Sequence, residues 1–160
     1  MKKKILFFCM IILLLAGSAY AERKTIGVSY DQIMEYLDMF IIMERAADAD
    51  GQPKYIGQTK NNGMATLEII GEKNNITSTT LMLGVPKDSP AIIAINTALL
   101  KNFIQNIAPE WKDCENWLTL ALKNAGKEKQ KKIIGDKKII MSFYSNLGLL
   151  FTSVSHKDAT

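Results

Sequence analysis

The chain has 160 residues, 48% of them hydrophobic and 22% charged, and a formal net charge of +4. Three of the surplus charges, Lys2, Lys3 and Lys4, sit at the start, and residues 22–160 hold 17 basic against 16 acidic groups. So even a balance excludes general affinity for nucleic acid or anionic membrane, which takes many uncompensated Lys and Arg contacts, and the composition excludes a repeat array or a low-complexity chain.

The three lysines lead into an unbroken apolar run from Ile5 to Ala16, followed by Gly17-Ser18-Ala19-Tyr20-Ala21. A basic start, a short apolar centre and an A-x-A site make residues 1–21 a cleavable signal peptide, with the cut before Glu22. The run is shorter than the roughly 20 helical residues that a bilayer requires, so no transmembrane anchor is expected after cleavage. Cys9 lies inside the run without the short linker of a lipid-attachment site. Residues 22–160 are expected to form a single exported domain, periplasmic or secreted. Cys114 is its only cysteine, which excludes an internal disulfide and favours a small buried thiol.

Ser29 and Gln32 have the spacing of a capping box, so a helix is predicted from there to about Arg45. Ile33, Leu37, Phe40, Ile41 and Glu44 form one stripe of it, and Asp31, Glu35 and Asp38 lie on the other side. Ala46 to Pro53 reads as an acidic turn. Three strands follow, Lys54 to Thr59, Met64 to Ile70 and Ile76 to Val85, with reversals around Asn62-Gly63 and Gly71 to Asn75, where residues tolerate positive φ. Ser89-Pro90 opens a broad apolar helix carrying Leu99, Leu100, Phe103, Ile104 and Ile107. Ala108-Pro109 ends it, and a second helix carries Trp111, Cys114, Trp117 and Leu118 to a left-handed cap at Gly126.

Three more strands are predicted, at Lys129 to Ile134, Ile139 to Ser145 and Gly148 to Ser155. The Gly135-Asp136 pair has two-residue turn chemistry, but a four-residue loop of 135–138 would match Ile134 with Ile139 and Ile133 with Ile140, and that register is preferred. The fold expected is α+β, an antiparallel sheet of about six strands with helices packed on one face, in the order α-βββ-αα-βββ. No motif identifies a family. The alternation of helix and meander is loosely similar, in architecture alone, to type III secretion chaperones, whose cytoplasmic setting the leader contradicts.

The single histidine, His156, stands four residues from the end, which argues against Ser-His or Cys-His catalysis, and no P-loop or G-x-G-x-x-G is present. No metal and no cofactor is expected: Asp48-Ala49-Asp50-Gly51 resembles a calcium loop only until the later ligand positions fall on Gln52, Lys54 and Thr59. Asn75-Ile76-Thr77 is read as a coincidental glycosylation pattern. Trp111 and Trp117 are placed on different faces of their helix, and Phe143, Tyr144 and Phe151 on the last sheet. Residues 123–138 carry seven lysines against Glu128 and Asp136. Lys127, Lys129, Lys131, Lys132, Lys137 and Lys138 are therefore the candidate binding residues, for an anionic envelope component or an envelope protein, with a solvated sheet edge as the competing explanation. No catalytic constellation stands out. The reading is a small exported binding or accessory protein, probed against the alternative of a carboxylate-dependent hydrolase acting on an envelope glycan through Glu35, Glu44 or Glu68.

Overall fold

A computed structural model describes residues 23–60, 64–86 and 88–159. The leader, the cut before Glu22 and the Asn62-Gly63 turn lie outside the described residues. The fold is α+β, a seven-stranded antiparallel sheet with its helices on one face. In chain order the elements are α1 (Tyr30–Met34), a 3₁₀ turn (Leu37–Met39), β1 (Ile41–Ala49), β2 (Gln52–Thr59), β3 (Ala65–Glu72), β4 (Asn75–Gly84), α2 (Pro90–Ile107), α3 (Cys114–Asn124), β5 (Gln130–Ile134), β6 (Lys137–Tyr144) and β7 (Leu149–His156).

The sheet order is β1-β2-β3-β4-β7-β6-β5. Two meanders therefore meet at the centre, where β4 pairs with β7, and α2 and α3 carry the chain across one face from the middle to the far edge. Period-two patterning decides which side is covered. Leu67, Ile69, Leu81, Leu83, Ile139, Met141, Leu150 and Val154 are buried under the helices, while the residues between them face the other way. From the helical layer, Leu99, Leu100, Phe103, Ile104 and Ile107 of α2 meet this row together with Leu118 and Ala121 of α3 and Ile33 and Leu37. The first turns of α2 leave Ile93 and Ile95 exposed instead.

The structure corrects the first helix. Ser29 Oγ accepts from the Gln32 amide as expected, but the Gln32 side chain donates to the Asn106 carbonyl and not back to Ser29. Asn106 Nδ2 in turn donates to the carbonyls of Ile33 and Glu35. These tertiary bonds take the carbonyls that a longer helix would use, and Tyr36 turns the chain with φ +63. Ile41–Ala49 then becomes a strand, seven in all instead of six, since Ile41 and Met43 alternate with Ile42 and Glu44 as well at period two as at helical period. The expected loop of Ala46 to Pro53 shrinks to Asp50-Gly51, both at positive φ, and Pro53 sits where the β1–β2 ladder is interrupted between Ala46 and Ala49.

Three further expectations change. The β5–β6 hairpin uses the two-residue Gly135-Asp136 turn, with Gly135 at φ +56, and pairs Ile134 with Lys137 and Ile133 with Lys138. This register wins because its lysines find partners on the helical layer, Lys132 over the Trp111 ring and Lys137 on Glu110. Trp111 lies in the turn before α3 and not inside it, so its ring reaches Trp117 at 5.2 Å. Gly126 is not left-handed: α3 closes through the Ala125 amide on the Ala121 carbonyl.

Candidate functional site

Each strand pairing has a fixed register, so the two ends of the sheet can be compared. At one end lie Ala49, Gln52, Glu72, Asn75, Ile134, Lys137 and His156. Its turns are Asp50-Gly51, Lys73-Asn74 and Gly135-Asp136, and it gathers ion pairs: Lys24 with Asp158 at 2.6 Å, Lys157 with Asp136 at 2.6 Å and Lys137 with Glu110 at 2.9 Å. The lysines hold the Asp136 and Asp158 carboxyls below their ordinary range through hydrogen bonds. Burial pushes the Glu110 carboxyl up, but the Lys137 hydrogen bond and a backbone bond outweigh it, and the net shift is downward.

At the opposite end, where Ile41, Thr59, Ala65, Gly84, Tyr144 and Leu149 terminate their strands, large apolar side chains are exposed. Tyr36, Met39 and Phe40 before β1, Met64 before β3 and Leu147 between β6 and β7 are 42% to 62% exposed. Large apolar side chains at loop tips are costly to leave in water, and burying each is worth about 1.5–3 kcal/mol. Three separate loops nonetheless present them together. Backbone bonds hold the tips: the Phe40 amide donates to Leu37, the Lys60 amide to Phe40, the Gly84 amide to Met64 and the Leu147 amide to Tyr144. Gly84 is required here, because a Cβ would run into the Cβ of Met64, which is fixed to the backbone, as well as lie 2.9 Å from Met64 Cε.

The structure divides the predicted lysines. Lys127 and Lys129 are exposed in the connection that enters β5 from the apolar end, and Lys131 is exposed on the uncovered face of β5. Lys132 and Lys137 belong to the helical side, with their contacts to Trp111 and Glu110, and Lys138 donates to the Ala159 carbonyl. Lys127 and Lys129 thus flank the apolar end, and the other four are distributed along the edge hairpin.

The uncovered face continues from the apolar end. Across it one row runs Glu44, Ile56, Glu68, Thr80, Ser153, Ile140 and Lys131, one residue from each strand. Three contiguous shallow depressions lie on this face: about 470 Å³ around Ile42, Glu44, Ile56 and Lys60, about 240 Å³ between Ile56, Glu68, Thr80 and Phe151, and about 480 Å³ beside Gln58, Met64, Met82 and Leu149. Tyr144 and Phe151 meet edge to face at 5.2 Å on the same side, whereas Phe143 packs towards the core.

No family model, curated protein or solved structure matches this chain. The site therefore has to be read from its own residues. Of the carboxylates named as hydrolytic candidates, Glu44 and Glu68 share the uncovered face two strands apart, about 10 Å between backbones, with Ile56 between them. Glu68 is held by Lys54 at 2.6 Å. Glu35 closes α1 on the helical side. Asp48 is paired with Arg45, and the Asp50 carbonyl accepts from Arg23. His156 ends β7 with its Nδ1 accepting from the Asp158 amide at 3.2 Å, and Cys114 is buried. Tyr36, Met39 and Phe40 escape the sequence reading because a helix from Tyr30 to Arg45 puts Phe40 on the buried stripe. Met64 and Leu147 did carry a signal, a large apolar residue beside turn-forming Asn and Gly.

Proposed function

We propose that the chain is a small exported accessory protein that docks onto an envelope partner through the apolar end of its sheet. The observation that carries this reading is the exposure of Tyr36, Met39, Phe40, Met64 and Leu147 from three loops at one end, while the ion pairs gather at the other. Patches of this kind mark contact surfaces, since folding alone gains nothing from them. Lys127 and Lys129 on the β5 side fit a partner whose apolar contact is bordered by acidic groups. Export is supported by the layout of residues 1–21. No helix among the described residues is long and apolar enough to cross a membrane.

Two measurements test this. The protein recovered after export is expected to begin at Glu22 by intact mass, and a chain that retains Met1 contradicts the leader. A photo-reactive residue at position 39 or 147 is expected to give a discrete adduct in exporting cells, and one at position 74 in the charged-end turn to give none. Equal labelling from positions 39, 147 and 74, or no labelling from any, contradicts the reading.

A further inference from the structure

The helices bury one face of the sheet, and among the described residues no element covers the other, although that face carries Ile42, Ile56, Ile70, Ile140, Ile133 and Phe151. These apolar side chains gain by packing on a second layer, and they alternate with Glu44, Glu68, Thr80 and Lys131, whose charges and hydroxyls set how such a layer can sit. We propose that a second copy of this chain covers it, the two sheets packing face to face about a twofold axis parallel to the strands. Two arguments select this occupant.

The first is area. Seven strands about 4.8 Å apart and eight residues long, at about 3.3 Å per residue, present roughly 750 Å². That approaches the ~800 Å² per partner of a stable interface.

The second is charge. A twofold axis along the strands and through β4 places β1 over the partner's β5, β2 over its β6 and β3 over its β7. Along the row described above, Glu44 then faces Lys131, Ile56 faces Ile140 and Glu68 faces Ser153. Glu44 and Lys131 are both exposed in the single chain. A twofold axis across the strands would instead set Glu44 on Glu44 and Lys131 on Lys131, which is repulsive. The one like-charge meeting in the chosen arrangement, Lys54 with Lys138, is relieved because Lys54 is paired with Glu68 and Lys138 is turned to the Ala159 carbonyl. Aligned sheets cross by about 30°, an offset that long Glu and Lys side chains span at the edges. The axis also keeps both apolar ends on the same side of the pair. The dimer would thereby engage a partner with two contacts, and gains avidity without any new residue.

The test needs no partner protein, so its outcome is separate from that of the proposed docking. By sedimentation at micromolar concentration the exported chain is expected to be a dimer. Glu44→Lys and Lys131→Glu, both at exposed positions, are each expected to weaken it by about tenfold or more, with unchanged far-UV circular dichroism. Mixing the two variants in equal amounts is expected to restore the dimer as a heterodimer, because one Glu–Lys contact is then the native one and the other re-forms with exchanged signs. A monomeric native chain overturns the proposal, as do single variants that stay fully dimeric or a mixture that fails to reassociate.

Discussion

Glu110 and Lys137 show how a single pair ties an edge strand to the helical layer. Their atoms are 2.9 Å apart, with the lysine side chain 13% exposed and the glutamate half exposed. Because the Glu110 pKa is lowered in the folded state, its contribution is complete above the ordinary glutamate value of about 4.3 and is lost as pH falls through the lower folded value. Solvent screening limits it to under about 1 kcal/mol. Glu110→Gln is therefore expected to lower the urea midpoint at pH 7, and the difference from the native protein is expected to vanish in acid below the glutamate range. A difference that persists unchanged in acid would show that the carboxylate charge is irrelevant. Tyr36 illustrates a different residue-scale effect, since a non-glycine at φ +63 costs about 1–3 kcal/mol. The Asn106 bonds to Ile33 and Glu35 fix the chain on its N-terminal side and impose that turn.

Among the elements, β1 is held against β2 by a close approach at Gly57. A Cβ there would meet the Met43 sulfur and lie 2.6 Å from Ile41 Cγ2. Met43 can move, but Ile41 is stiff and buried. Gly57→Ala is expected to destabilise the protein by about 1–3 kcal/mol through overpacking, measured as a lowered denaturant midpoint with an unchanged slope. A midpoint equal to the native one would mean that β1 is looser than its packing indicates. This strand also shows where sequence patterning runs out. Ile33, Leu37, Phe40 and Ile41 satisfy helical spacing, while Ile41 to Glu44 satisfies strand alternation equally well, and the decision comes from Asn106, more than 60 residues away. The strands β2 to β7 and both long helices were legible, because each had its own period and a Gly, Pro or Asn boundary. The β5–β6 register was not, since matching isoleucines looked better locally than Lys132 on Trp111 and Lys137 on Glu110.

At the scale of the whole molecule, the chain is asymmetric along its strands, with ion pairs gathered at one end and large apolar side chains exposed at the other. The lysine-rich segment was visible in the sequence, but its division between the edge hairpin and the border of the apolar end depends on topology. The apolar tips depend on topology still more, because Tyr36, Met64 and Leu147 are far apart in the chain and only the strand register brings their loops to one end. The central claim is that these tips serve contact and not folding. A chain carrying Met39→Ser, Met64→Ser and Leu147→Ser together measures it most directly, with its denaturation midpoint and its photo-adduct from position 40 determined on the same preparation. The account expects an unchanged midpoint and a lost adduct. A retained adduct, or a midpoint lowered as by core substitutions, would contradict it.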